Sequence, residues 1–450
     1  MVRVSVIMPC LNEVKYIEAC MESVICQTLQ EIEILVVDAG SVDGTLEILM
    51  EYEKKDSRIR VIHSETKSYG YQMNQGIAQA LGEYIGIVET DDIVQKDMLA
   101  LLYEQAVYEQ ADYVKGTGEG FYQSTDGIEW RYPIVPCSDL TGKRVVCPKE
   151  MPELFIQDNF LWTGIYRKEF LQKIRFNETA GAAFQDIGAL FQIVSCAEKG
   201  VYINYLVYNY RQDNASASSY NRKSFSYVAE EYRYIEQFVS KLSQEWKAKY
   251  YLKMVACSLD RLCFMANSGK YWQESESGIE ELHNKMLYAV ECGIVNSENC
   301  PEWEMLQLFL QNPYASFCFL RDEYEIKVSK IRSLLKILKG YKVCIFGAGK
   351  YGKFLHVCLD INGIKTIAYC DNDKDKRKKL IQKIPVLAPE DLVLKEPDAY
   401  YVIAGAKRCL REMSEQLIKL GVKEEKIVFY NEGTDIFFLK EFEKTSENQV

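Results

Sequence analysis

A chain of 450 residues is longer than one compact core serves, and its 48% hydrophobic and 26% charged residues describe two or three folded domains rather than a disordered protein. Against 54 basic side chains stand 65 acidic ones, a formal net charge of −11, which excludes a broad nucleic-acid footprint and leaves any anionic ligand to local groups. The 15 cysteines are scattered without a C-x-x-C pair and there are three histidines, which argues against a zinc site or disulfide framework and for reduced thiols in the cytoplasm.

From the N-terminus, MVRVSVIMPCLNE is apolar over too short a run for a secretory signal and reaches charge at Glu13 and Lys15. No apolar run approaches the roughly 18 residues of a membrane span. Over the first 115 residues the β-rich runs VSVIMPC, EILVVD, IRVIH and YIGIV alternate with stretches of helical spacing such as Ile17, Met21, Val24 and Ile25. This βα repeat predicts an α/β fold, a mostly parallel sheet covered by helices on both faces. Ligands collect at the carboxyl ends of such strands, where Pro9, Asp38 and an acidic cluster should share one crevice.

That cluster is GIVETDDIV, a strand that runs into Glu89, Asp91 and Asp92. Three carboxylates in four positions repel one another unless solvent, a cation or a polar ligand relieves them. A hard divalent cation that also bridges phosphate oxygens suits such a site. In VVDAGSVDGT, Asp38 ends a strand where Gly40 and Gly44 permit tight turns, and its carboxylate can accept from a base or ribose. The alternative is that Asp38 forms the turn and Asp43 caps the next helix.

The segments VSVIMPCLNEVKYIEACMESVICQT, EIEILVVDAGSVDGT and NQGIAQALGEYIGIVETDD together resemble, in order and spacing, the family 2 glycosyltransferases of GT-A fold, over about the first 220 residues. The resemblance implies a nucleotide-sugar donor, a Mg or Mn ion at a D-x-D-type motif and inversion at the anomeric carbon. It makes Asp91 and Asp92 the metal and ribose carboxylates and puts Pro9, Asn12, Glu13, Asp38, Asp91 and Arg211 on the donor side. Two departures stand out: Ala39 follows Asp38 where the family often has a second acid, and Glu89 replaces the first Asp, so either Glu89-Thr90-Asp91 or Thr90-Asp91-Asp92 carries the motif. Further along, LWTGIYRKEFL resembles the acceptor-side segment, which makes Trp162 a platform for a sugar ring or else a half-buried tryptophan. NETAGAAFQDIGALFQIV resembles the family's E-D segment with Gln185 in place of the acid, which makes Asp186 the general base; on pattern alone it is a first-turn helix charge. In YRQDNASAS, Arg211 and small hydroxyls suit a loop closing over a diphosphate.

From about Phe225 to Leu338 the spacing predicts long amphipathic helices, a bundle or connector. Then YKVCIFGAGKYGKFLHVCLDINGIKTIAYCDND reads as strand, glycine turn, helix and strand, with Gly347, Gly349 and Gly352 in G-x-G-x-x-G spacing and Asp371 where a ribose-binding acid is expected. The segment, with IPVLAPEDL and YVIAGAKRCL, resembles Rossmann-like domains appended to bacterial surface-polysaccharide glycosyltransferases, and a dinucleotide or nucleotide ligand there stays open. KDKRKK reads as a solvated loop and KTSENQV as a frayed tail. The expected divisions are 1–220, 221–340, 341–432 and 433–450. The leading reading is a metal-dependent inverting glycosyltransferase of surface glycan synthesis, with a glycan or lipid-linked glycan acceptor, no nucleic acid, and a cytoplasmic place of action that includes peripheral membrane association without a transmembrane segment. The alternatives are an NAD-dependent oxidoreductase centred on the C-terminal domain and a non-catalytic sugar-nucleotide-binding scaffold.

Overall fold

The computed structural model describes residues 1–430 apart from 124–126, 128, 138–143, 182, 215–223, 240, 270 and 406. The expected tail 433–450 and the small hydroxyls expected at 216 and 218 lie outside the described residues. The chain opens in βα order with β1 (Val4–Cys10), α1 (Ile17–Ile25), β2 (Ile32–Asp38), α2 (Thr45–Lys55), β3 (Ile59–His63), α3 (Tyr69–Gln79) and β4 (Tyr84–Ile87). There follow β5 (Ile93–Val94), α4 (Met98–Glu109), β6 (Tyr113–Gln123), β7 (Glu129–Ile134), β8 (Arg144–Val146), α5 (Glu153–Ile156), β9 (Gly164–Arg167), α6 (Lys168–Leu171), α7 (Gln185–Cys196) and β10 (Gly200–Arg211). Five helices come next: α8 (Ser224–Val239), α9 (Gln244–Ser268), α10 (Trp272–Glu291), α11 (Trp303–Gln311) and α12 (Pro313–Leu338).

The first sheet runs β3-β2-β1-β4-β9-β6-β10-β5, with β7 on β6 and β8 on β10. Its first four strands are parallel, while β9 is antiparallel to both β4 and β6. The chain steps from β1 outward to β2 and β3, then crosses back to place β4 on the other side of β1. That reversal is a topological switch point, and it opens a crevice at the carboxyl ends of β1 and β4. The register puts Cys10 opposite Asp38 and Asp38 opposite His63, so the strand ends lie level. Gln72 on α3 seals them by donating to the carbonyls of Cys10 and Val37.

Strand alternation divides the core. Val4, Val6 and Met8 join Ile34 and Val36 against α1 and α4, whereas Ile7, Leu35, Val37 and Ile87 face Met73 of α3 and Phe191 of α7. The second face continues without a break into Tyr232 of α8, Leu262 of α9 and Met286 of α10, each 0% exposed. Every such large apolar side chain contributes about 1.5–3 kcal/mol when buried. The helical region is therefore the outer layer of the same core. Accordingly the compact units are Met1–Gly120 with Tyr132–Leu320, and Phe121–Arg131 with Arg321–Val450, rather than divisions at 220 and 340. Periodicity reveals helices but not what their apolar stripes rest on.

The second unit holds β11 (Val343–Phe346), α13 (Lys350–Ile361), β12 (Thr366–Cys370), β13 (Leu380–Ile381), β14 (Ile384–Leu387), α14 (Pro389–Lys395), β15 (Tyr400–Ala404), α15 (Lys407–Lys419) and β16 (Ile427–Tyr430). Its sheet order is β13-β14-β12-β11-β15-β16, with antiparallel pairing only between β13 and β14. The glycine turn leaves central β11. Gly347 has φ +110° and a Cβ there would lie 2.4 Å from the Ala404 carbonyl, while a Cβ on Gly352 would lie 1.7 Å from the carbonyl of Gly347. Both positions require glycine for packing.

Lys115 on β6 is 0% exposed, its Nζ donating to the Phe160 carbonyl at 2.5 Å and lying 5.5 Å from the Tyr166 ring centre. Burial pulls its pKa down to about 7. An unfolded lysine titrates near about 10.4, so across that window the unfolded chain binds the extra proton and the folded chain is penalised. Relative to Lys115→Met, the wild type should gain stability as pH rises from about 7 to about 10. Paired thermal unfolding curves across that range check this, and a pH-independent difference in Tm refutes it.

Candidate active site

The sheet edge brings together acids that are far apart in sequence. Glu13 follows β1, its backbone N–H held at 2.8 Å by the Thr45 hydroxyl at the start of α2. Asn214, just past β10, donates from one Nδ2 to Asp91 Oδ2 at 2.8 Å and to Glu13 Oε2 at 3.3 Å, so these two carboxylates share a donor. Burial and then the charge of Asp91 push Glu13 up to about 8. Burial, followed again by Asp91, does the same to Glu89. Asp91 is also raised, chiefly by burial, against which Asn214 and Arg211 act.

Asp92 belongs to a different class. It is 0% exposed, and its two oxygens accept from the Tyr208 hydroxyl at 2.8 Å and the Arg211 backbone N–H at 2.6 Å. The Tyr208 oxygen in turn accepts from the Glu89 N–H at 3.0 Å. Asp92 thus ties β10 to the turn after β4, and the side chains facing the crevice are Glu89 and Asp91. Both oxygens that the metal role expected of Asp92 would use are thus already engaged.

A third group comes from α7. Asp186 stands in its first turn, raised by burial and opposed by the charge of Lys253 on α9. It lies within electrostatic range of Glu89 and of Tyr69, whose hydroxyl donates to Glu89 Oε1 at 3.0 Å. Gln185 takes no part in the crevice. It is 1% exposed, accepts from the Gly70 N–H at 2.8 Å and donates to the Thr179 carbonyl at 3.0 Å, and so clamps the start of α7 to the start of α3.

Other expected residues occupy structural posts. Pro9 lies inside β1 opposite Val37, and what it offers is a carbonyl that accepts from the Thr90 hydroxyl at 3.1 Å. Asp38 is 1% exposed and spends both oxygens on the Gly40 and Ser41 N–H groups and the Ser41 hydroxyl, so it builds its own turn rather than reaching a ribose. Asp43 accepts from Thr45 and from the Val14 N–H, and Asn12, at φ 58°, accepts from the Val42 N–H. These bonds lock the two loops beside Glu13. Arg211 is pinned by the Asp91 carbonyl at 2.9 Å, Asp213 at 3.2 Å and the Tyr16 ring at 4.6 Å, which fixes its charge beside Glu13 and Asp91 instead of leaving it to swing over a ligand. Trp162 is 7% exposed and stacks on Phe160, Tyr208 and Tyr210 with ring centres 4.8, 4.5 and 5.0 Å away, which leaves little of it for a sugar. In the second unit Asp371 is likewise engaged, accepting from the N–H groups of Ala348 and Asp373 and from Lys376. It closes the glycine turn on itself.

Asn214, Tyr69 and Tyr208 carried no local signal: each acts across a sequence separation of 20 to 201 residues. Among the described residues no three His, Cys, Asp or Glu side chains close on one point as a metal cage. The carboxylates of Glu89 and Asp91 are oxygen donors of the kind that a Mg or Mn ion takes together with water and phosphate oxygens.

Comparison with known proteins supplies independent findings. The glycosyl transferase family 2 model matches residues 5–181, and a model described as C2185-like, N-terminal, matches 339–428. Glycosyltransferase GlyG of Streptococcus pneumoniae is 33% identical over 221 residues, 47% of this chain and 72% of that protein. The uncharacterized glycosyltransferase EpsJ of Bacillus subtilis is 36% identical over 218 residues, 44% of this chain and 60% of that one. The crystal structure of S. aureus TarS 1-349 in complex with UDP-GlcNAc shares the fold at TM-score 0.56 and 20% identity, over 72% of this chain and 92% of that one.

If Asp92 is structural and Asp91 faces the crevice, truncation should separate them. Asp92→Ala removes two buried hydrogen bonds and should cost about 2–4 kcal/mol, whereas Asp91→Ala should be near neutral or stabilising. Urea unfolding of the two variants checks this, and equal losses would contradict it.

Proposed function

The chain belongs to glycosyl transferase family 2, and from that premise we propose that it is a metal-dependent, inverting enzyme that moves a sugar from a nucleotide-sugar donor to a glycan or lipid-linked glycan acceptor in bacterial surface polysaccharide synthesis. The observation that carries this reading is the joint burial of Glu13, Glu89 and Asp91 at the switch point of the first sheet, with the first two pushed up to about 8. Carboxylates held so dry call for a positive or polar guest. Glu89 and Asp91 are the residues that would hold a Mg or Mn ion, and such an ion when bound offsets the charge that builds on a departing nucleoside diphosphate.

The protein's own groups supply the rest. Asp186, across the crevice from Asp91 in this reading, accepts the proton of the acceptor hydroxyl as that oxygen attacks the anomeric carbon on the face opposite the leaving group. Burial favours such a role, because it raises the carboxylate's appetite for a proton. Tyr69 holds Glu89 by its hydroxyl, and Asn214 bridges Glu13 and Asp91. Among the described residues no helix is long and apolar enough to cross a membrane. A lipid-linked acceptor would bring the chain to the inner membrane face as a peripheral protein.

A panel of UDP-, GDP-, CDP- and dTDP-sugars, with UDP-GlcNAc tried first, tests the donor by thermal shift and by nucleotide release with and without Mn. Glu89→Gln and Asp91→Asn should each lower metal-dependent release by about 10²-fold, roughly 3 kcal/mol of transition-state stabilisation. Undiminished wild-type release in a chelator would overturn the metal dependence. Asp186→Asn should cut turnover by about 10²-fold with nucleotide affinity nearly unchanged, and loss of nucleotide binding instead would place Asp186 in the donor site.

A further inference from the structure

We infer that Glu231, in the helical region, is a positioning residue for the crevice: its buried carboxylate locks together the starts of α7 and α3, the two helices that present Asp186 and Tyr69. The inference rests on the reading of Asp186 as the general base. Glu231 lies on α8 and is 1% exposed. Its Oε1 accepts the Gly188 N–H at 2.9 Å, one of the free amides in the first turn of α7, two residues after Asp186. Its Oε2 accepts from Asn177 Nδ2 at 2.9 Å. Both oxygens therefore have partners, which a carboxylate so far from water needs.

Two close approaches show that the fit is specific. A Cβ on Gly188 would stand 2.0 Å from Glu231 Oε1, so the absence of a side chain there is what admits the carboxylate. A Cβ on Gly70 would stand 1.8 Å from the Asn177 carbonyl oxygen, so the residue Glu231 holds is itself pressed against the first turn of α3. Tyr69 is the neighbour of Gly70 and donates to Glu89. A single carboxylate from α8 thus reaches both the proposed base and the hydroxyl that holds an acid of the crevice. It also sits within electrostatic range of Asp186 itself.

The test uses the full chain and three variants, Glu231→Ala, Glu231→Gln and Asp186→Asn. One readout needs no substrate: amide hydrogen exchange over residues 68–72 and 185–190. In Glu231→Ala both segments should exchange faster together, while Glu231→Gln, which keeps an oxygen for the Gly188 N–H but faces Asn177 Nδ2 with an amide while Asn177 Oδ1 is held by Thr179, should keep 185–190 near wild type and fall between wild type and Glu231→Ala over 68–72. The second readout is nucleoside diphosphate release from a mixture of UDP-GlcNAc, UDP-Glc, UDP-Gal, GDP-Man and dTDP-Glc. Glu231→Ala should lower kcat by about 10-fold or more with KM within about twofold, and Glu231→Gln, which restores the bond to Gly188, should recover part of it. Unchanged exchange at either segment, or wild-type kcat in a folded Glu231→Ala beside an inactive Asp186→Asn, overturns this inference alone. An active Asp186→Asn overturns it together with the reading on which it rests.

Discussion

The rest of the first unit is arranged around one constraint, the confinement of several like charges at the dry end of a parallel sheet. Glu13, Glu89, Asp91, Asp92 and Asp186 come from three separate stretches of chain, and each is pushed toward its protonated form by burial. In water such groups would spread apart. Here Asn214, Tyr69, Tyr208 and the Arg211 backbone fix their oxygens, and the Arg211 side chain is itself tied down so that its charge stays at the crevice.

That division of labour explains what could be read from the sequence. The parallel strands were legible because apolar runs bounded by turn residues follow from hydrogen bonding and burial within a few positions. IRVIH became β3 over Ile59–His63 without adjustment. The acidic strand ends were legible as a group, since carboxylates after an apolar strand are unusual. Their individual duties were not. Asp38 and Asp92 look in sequence like Asp91, but each of the two meets two or more donors that fill its oxygens: those of Asp38 lie two and three residues on in its own turn, and those of Asp92 arrive with β10, more than 100 residues away. The two readings open for Trp162 could not be told apart locally for the same reason: its aromatic neighbours Tyr208 and Tyr210 arrive from another strand.

The second unit shows the opposite balance. Its glycine spacing, strand and helix were plain in sequence, yet the fingerprint alone left its purpose open. Gly347 and Gly352 are required by contacts with the Ala404 carbonyl and with one another, and Asp371 serves the turn it follows. Two of the three glycines in a pattern associated with a ligand are here accounted for by backbone packing, while Gly349 has open space around it.

The continuous apolar face that runs from Ile7 through Phe191 to Leu262 and Met286 has a bearing on how such enzymes diversify. Recombination that exchanged only the first 220 residues would cut through the middle of a core and strand α8 to α10 without their support. A crossover near Leu320 would instead keep that core whole. The unit of inheritance is then the sheet together with its helices.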